Sequence, residues 1–237
     1  MTKAIIIGAS TGIGRSLALE LSAKNYQIAI ASRKVEELKE ISFQCKNEVL
    51  FRKMDLQNLD ESVATLIEMI GALNGMDILV LNSGIGAIYP DWKEEMKIID
   101  VNVKGFVALA HTGMDHFKAQ GYGHLVGISS IASLIGFRKT TAYSGSKAFI
   151  SNYMQGLRNL SRKKNLNITI TDIRPGFVLT PMTEKNKGMF WVATPEKAAI
   201  QIRQAIESKA SVAYVTRRWR LIAILIRIMP GRLIDFF

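Results

Sequence analysis

Tyr143 and Lys147 stand four residues apart in Tyr143-Ser-Gly-Ser-Lys147, so on a helix they share one face. A phenol ordinarily titrates near 10, and a neighbouring ammonium favours the phenolate and lowers that value. Each unit is about 1.36 kcal/mol, and a drop of a few units brings the phenol toward working pH, where an acid–base catalyst is effective. Alone, such a pair is usually a surface arrangement; its context sets it apart. Ser130 lies thirteen residues upstream, closing Gly127-Ile-Ser-Ser130 at the end of an apolar run. A second chemical signal is Gly8-Ala-Ser-Thr-Gly12-Ile-Gly14, which follows another apolar run and opens a helical pattern. Glycines let the backbone turn tightly and approach a pyrophosphate, and a helix N-terminus presents free N–H groups to the anion. The plain alternative is a glycine turn that caps a helix without any ligand.

The elements that must position these groups alternate along the chain. Strands are expected at Lys3–Ile7, Tyr26–Ala31, Glu48–Lys53, Met76–Leu81, His124–Ser129, Asn167–Ile173 and Ser211–Val215. Helical spacing fills Ile13–Lys24, Val35–Cys45, Leu59–Leu73, Trp92–Lys118 (a long region with room for a break), Ala142–Lys163 and Pro195–Ser208. Apolar runs without alternation fit strands buried on both faces. The pattern therefore predicts an α/β fold: a doubly wound parallel sheet of about seven strands with helices on both faces. Residues 1–216 read as one dinucleotide-binding and catalytic domain, and 217–237 as a C-terminal amphipathic extension.

The spacing GxxxGxG, with the Tyr-x-x-x-Lys pair and its upstream serine, resembles the short-chain dehydrogenase/reductase family in its single-domain, Rossmann-type branch. The resemblance runs from about Lys3 to Thr216. It departs at Ile7, where the family usually has Thr, and at Leu81-Asn82-Ser83-Gly84, where it has Asn-Asn-Ala-Gly. The resemblance implies a Ser-Tyr-Lys-Asn active site: Ser130, Tyr143, Lys147 and, in Asp100-Val-Asn102-Val-Lys-Gly105, Asn102. In that scheme a nicotinamide delivers hydride to a carbonyl carbon, and Tyr143 gives its proton to the oxygen. Ser130 orients that oxygen, Lys147 lowers the tyrosine pKa and holds the nicotinamide ribose, and Asn102 positions a water. The cofactor site it implies takes in Gly8, Ser10, Thr11, Gly12, Ile13, Gly14, Ser32, Arg33, Asp55, Leu56, Asn82, Gly84, Tyr143, Lys147, Pro175, Gly176, Val178 and Thr180. Arg174-Pro175-Gly176 matches the family's turn on the nicotinamide side.

The end of the second strand chooses between cofactors. An acid there would accept from a ribose 2′-OH and favour NAD. The chain has Ala31-Ser32-Arg33 instead, so NADP(H) is the expected cofactor, with NAD(H) the alternative. A charge-assisted contact is worth about 1.5–3 kcal/mol, roughly tenfold to hundredfold in affinity. Arg15 is a second candidate for the 2′-phosphate. Otherwise Arg33 is a solvated charge and Asp55 a helix-start turn.

Candidate substrate-lining segments are Gly84–Ala87, Ile131–Arg138 and a flap at Met182–Trp191. Met182, Met189, Phe190 and Trp191 suggest an apolar, adaptable lid for a hydrophobic carbonyl or alcohol; otherwise they only pack on the body. The tail Arg217–Met229 carries Arg217, Arg220 and Arg227 on one stripe, with apolar residues elsewhere. Two readings stand for it: an in-plane membrane helix with Trp219 at the boundary, or a cover for the pocket or a subunit interface.

The whole chain has 237 residues, 31 Lys and Arg against 20 Asp and Glu, and a net charge of +11. This favours anionic partners. Five arginines and one acid fall in 217–237, so +4 of that charge sits on the tail. Cys45 is the only cysteine, so neither an internal disulfide nor a cysteine-rich zinc site is expected, and a cytoplasmic setting is. His111, His116 and His124 lack metal spacing, and no metal is expected. No signal peptide, transmembrane run or nucleic-acid motif is read. The expectation is an NADP(H)-dependent oxidoreductase, a homodimer or homotetramer through helices near Asp100–Lys118 and Ala142–Lys163. The rivals are a lipid-ketone reductase at a bilayer, a reductase of carrier-bound 3-oxoacyl chains, and a non-catalytic nucleotide-binding regulator.

Overall fold

Each apolar run becomes a strand, and each stretch of 3.6-residue period becomes a helix. The computed structural model describes residues 1–184, 186 and 188–228, apart from the side chain of Arg227. The last residue of the expected amphipathic segment and all that follows it, 229–237, lie outside the described residues, as do two lysines of the flap. Strands β1 (Lys3–Ile7), β2 (Gln27–Ser32), β3 (Leu50–Lys53), β4 (Ile78–Leu81), β5 (Gly123–Ile128), β6 (Ile168–Pro175) and β7 (Val212–Val215) form one sheet. Every pairing is parallel, in the order β3-β2-β1-β4-β5-β6-β7. Helices α1 (Gly12–Ala23), α2 (Val35–Gln44), α3 (Leu59–Ala72), α4 (Trp92–Ile99), α5 (Gly105–Gln120), α6 (Thr141–Lys163) and α7 (Pro195–Glu207) connect them, and α8 (Trp219–Ile228) follows β7. This is the doubly wound, Rossmann-type sheet that the alternation predicts.

The period of two along β1 divides the core. Ala4 and Ile6 face one layer with Leu17 and Leu21 of α1, Leu38 and Ile41 of α2, and Ile202 of α7. Ile5 and Ile7 face the other, with Leu66 and Met69 of α3, Leu109 and Phe117 of α5, and Ile150 and Met154 of α6. Both faces are covered, which is why the strands read as unbroken apolar runs. Each fully buried side chain of this size contributes about 1.5–3 kcal/mol.

Two details position the site. The long helical region Trp92–Lys118, which left room for a break, is divided: α4 starts on an Asp91–Glu94 capping box, and a π-turn at Asp100–Lys104 separates it from α5. Asn102 lies inside that π-turn. The strand order also reverses between β1 and β4, so the loops after those two strands diverge. A crevice opens there, at the C-terminal ends of the strands, where doubly wound sheets bind ligands.

Candidate active site

The glycine loop after β1 has the shape its sequence requires. Gly8 has φ +88°, in the left-handed region. A Cβ on Gly14 would stand 2.1 Å from the Gly8 carbonyl oxygen. Asn82, after β4, donates its Nδ2 to that same carbonyl at 2.7 Å and so ties the two loops together. Thr11 enters α1 with extended backbone and no side-chain cap, and the first turn of α1 holds no acid. Its N–H groups and positive dipole end therefore suit a pyrophosphate.

Around this loop one crevice is lined by Gly8, Ser10, Thr11, Gly12, Ile13, Ser32, Arg33, Asp55, Leu56, Asn82, Gly84, Ser130, Tyr143, Lys147, Pro175, Gly176, Val178 and Thr180. Of the residues singled out in the sequence, Gly14, Arg15, Asn102, Arg174, Met189, Phe190 and Trp191 stand outside the lining, as do the candidate substrate segment Ile131–Arg138 and the second half of Gly84–Ala87. Ile85 of the segment Gly84–Ala87 and Met182 and Thr183 of the flap also line it, with Ser83 and Ser129 of the sequence motifs; Lys34, Met54, Val101, Ile128 and Pro181 line it without having been singled out in the sequence. Arg33 is exposed and makes no ion pair or hydrogen bond among the described residues, whereas Lys34 pairs with Glu37 at 3.0 Å. Ser32 is occupied: its hydroxyl donates to the Lys34 carbonyl at 3.2 Å and accepts from the Lys34 N–H at 3.1 Å. Arg15 stands outside the crevice lining and donates to Gln44 at 2.9 Å.

The reacting groups meet beside the ends of β5 and β6. Lys147 is buried and donates its Nζ to the Ile128 carbonyl at 2.8 Å; Nζ lies 5.7 Å from the centre of the Tyr143 ring. Burial pulls the lysine down to about 8, and the Asp172 carboxylate opposes that fall. Burial pushes the Tyr143 phenol above its ordinary value, with the Ser130 hydroxyl partly opposing. This corrects the expectation of a lowered tyrosine: the ammonium is directed at a backbone carbonyl, and desolvation outweighs it. Asn102 is fully buried; its Nδ2 donates to the Ile85 carbonyl at 2.8 Å and to Ser146 Oγ at 3.0 Å, and its Oδ1 accepts from the Ile85 N–H at 2.8 Å. It clamps the loop after β4 onto α6.

Behind the crevice lies a charged network that sequence reasoning missed. Asp172 on β6 is completely buried and accepts from Ser129 Oγ, from Ser151 Oγ at 2.8 Å and from Arg174 Nε at 2.7 Å. Arg174 donates further to Tyr214 at 3.2 Å. Ser129 is thus held from behind, whereas Ser130 contacts Tyr143 in the crevice. Arg174 faces this network rather than the crevice, which Pro175 and Gly176 line.

The model of the family described as short chain dehydrogenase matches residues 2–189. The chain belongs to the short-chain dehydrogenase/reductase family. An uncharacterized oxidoreductase of Myxococcus xanthus (strain DK1622) is 29% identical over 98% of this chain and 94% of its own. A probable NADP-dependent dehydrogenase of Haemophilus influenzae (strain ATCC 51907 / DSM 11121 / KW20 / Rd) is 27% identical over 74% of this chain and 71% of its own. A solved structure of a short chain dehydrogenase/reductase family protein superposes with a TM-score of 0.78 at 23% identity, covering 90% of this chain and 94% of that one. This chain is therefore an NAD(P)-dependent oxidoreductase acting on CH–OH and C=O groups.

In this dehydrogenase/reductase, α8 packs through Trp219 onto the segment that follows β6. Trp219 is 3% exposed and packs its ring against Phe177, Phe190 and Trp191, at centroid distances of 5.5, 5.0 and 5.9 Å. Gly176 makes the room, since a Cβ there would lie 2.0 Å from the indole. Arg218 stands over the Trp191 ring at 5.1 Å. This corrects the placement of Trp219 at a membrane boundary: the ring faces inward, onto the flap. Met182, at 49% exposed, lines the crevice beside it.

Proposed function

We propose that this oxidoreductase uses NADP(H) to reduce a hydrophobic ketone or aldehyde, or to oxidise the corresponding alcohol. The observation that carries the reading is one crevice holding Ser130, Tyr143 and Lys147 together with an unpaired Arg33 at the end of β2. No carboxylate stands at that end to accept from a ribose 2′-OH. Gly8 to Gly14 and the first turn of α1 hold the pyrophosphate, Asp55 and Leu56 the adenine side, and Pro175, Gly176, Val178 and Thr180 the nicotinamide side. The bound nicotinamide supplies or takes up a hydride.

The side chains divide the proton work. Tyr143, raised by burial, keeps its proton at neutral pH and donates it to the carbonyl oxygen. Ser130 donates a hydrogen bond to that oxygen as charge builds there. Lys147, near 8, is an ammonium at neutral pH and stabilises the phenolate that Tyr143 becomes. Asn102 holds the loop between β4 and α4 in place. The apolar flap around Met182 and Phe190 supports a hydrophobic substrate. Phe149 and Leu160, exposed on α6, support a homo-oligomer through that helix. The lone Cys45 fits a cytoplasmic setting.

The test is Arg33→Asp with both cofactors titrated in parallel against a panel of ketones and aldehydes. The reading expects a roughly tenfold to hundredfold loss of NADPH affinity with NADH little changed. Equal NADPH affinity in the variant overturns the cofactor assignment.

A further inference from the structure

Helix α8 divides its circumference into three arcs. Trp219, Ile222 and Ala223 face inward to the flap and the loop after β5. Leu221, Ile224, Leu225 and Ile228 form the opposite arc and are 65%, 51%, 50% and 72% exposed. Arg220 stands between these arcs, Arg217 and Arg218 precede the helix, and all three are exposed. No acid occurs between Thr216 and Ile228. Between α7 and α8 runs a groove of about 600 Å³, lined by Arg217 and Arg220 with Gln204, Tyr214, Ala223 and Ile224. Cations thus border both the groove and the apolar arc.

Four large aliphatic side chains on one exposed face form a contiguous apolar patch, which calls for an occupant. The neighbouring charges select which one: a surface apolar within and anionic at its edge. The helix is about 15 Å long at 1.5 Å per residue. No helix among the described residues is long and apolar enough to cross a membrane. The geometry left is in-plane contact.

We propose that α8 docks this enzyme on an anionic phospholipid surface. Leu221, Ile224, Leu225 and Ile228 enter the acyl boundary, and Arg217 and Arg220 meet headgroup phosphates. Trp219 anchors the same helix to Phe190 and Trp191 of the flap. The proposal concerns where the enzyme sits and does not depend on cofactor preference or substrate.

The experiment is co-sedimentation of the full chain with phosphatidylcholine vesicles, with and without phosphatidylglycerol. At least about tenfold stronger partition onto the anionic vesicles is expected, weakening as salt shortens the Debye length. Each arginine near such a surface is worth about fivefold, so Arg217→Gln with Arg220→Gln lowers partition about 30-fold. Leu221→Gln, Ile224→Gln and Leu225→Gln together abolish binding, with cofactor binding retained as the check on folding. Should that triple variant unfold, the arginine pair and Leu221→Gln alone carry the test. Absence of pelleting with either vesicle, or unchanged pelleting of the variants, overturns the proposal. So does a wild-type dimer that the apolar variant converts to monomer without any vesicle binding, which identifies the arc as a contact with a second copy.

Discussion

Replacing Trp219 with Ala tests whether α8 is part of the folded enzyme or an appendage. Trp219 is 3% exposed and touches three aromatic rings on the flap and on the segment after β6. Truncating a buried aromatic to Ala typically costs about 3–5 kcal/mol, because the cavity left behind closes only in part. One feature offsets this: Trp219 Nε1 is buried without a hydrogen-bond partner among the described residues. A buried N–H in that state costs about 1–3 kcal/mol, and the variant removes it. The net loss is then about 2 kcal/mol. In a chain of this size each kcal/mol shifts Tm by about 2–4 °C, so a fall of about 4–8 °C is expected. The flap loses its backing at the same time, so KM for the carbonyl substrate rises more than kcat falls. Calorimetry and steady-state kinetics on the same preparation read both effects. A Tm within about 2 °C of the wild type, with KM unchanged, refutes the reasoning and makes α8 an independent tail.

Three further predictions concern titration. With Lys147 near 8, the ammonium is about nine-tenths formed at pH 7 and half formed at pH 8, so reductive kcat/KM falls as pH rises through about 8. Asp172 is what opposes the depression of Lys147, so Asp172→Asn moves that break to lower pH; an unmoved break in a folded variant assigns Asp172 a purely structural role. His124 is buried against Thr171 at 2.8 Å, and burial depresses it to about 4 from an ordinary 6.5. Its neutral form is therefore favoured by folding. That stability is fully present above about 6.5 and declines as pH falls toward 4, by at most about 3 kcal/mol. Urea midpoints measured from pH 7 to 4.5 should fall over that window, and His124→Asn should flatten the fall.

The sheet was legible because both of its signals are periodic. Buried strands are short apolar runs, and the helices between them repeat their apolar residues every three or four positions. The crevice was legible for the same reason, since Gly8, Asn82, Ser130 and Gly176 each follow a strand. Groups that act from behind left no such mark. Asp172 is a single acid within an apolar run, and only the fold brings Ser129, Ser151 and Arg174 around it. The π-turn at Asn102 comes from one extra residue in a helical turn, which no composition records. Trp219 was misplaced because a helix with apolar residues on two arcs does not say which arc packs inward; Gly176, where a side chain would strike the indole, settles it. The spacing of Tyr143 and Lys147 placed them on one face but could not reveal that Lys147 donates to Ile128.

The proposed chemistry rests on the proton that Tyr143 holds in the crevice. Tyr143→Phe keeps the ring and removes only that hydroxyl. The measurement is NADPH oxidation with the best carbonyl substrate of the panel, alongside cofactor affinity for both proteins. A loss of at least about 100-fold in turnover is expected, with cofactor affinity within about twofold. Full turnover in the Phe variant would contradict it.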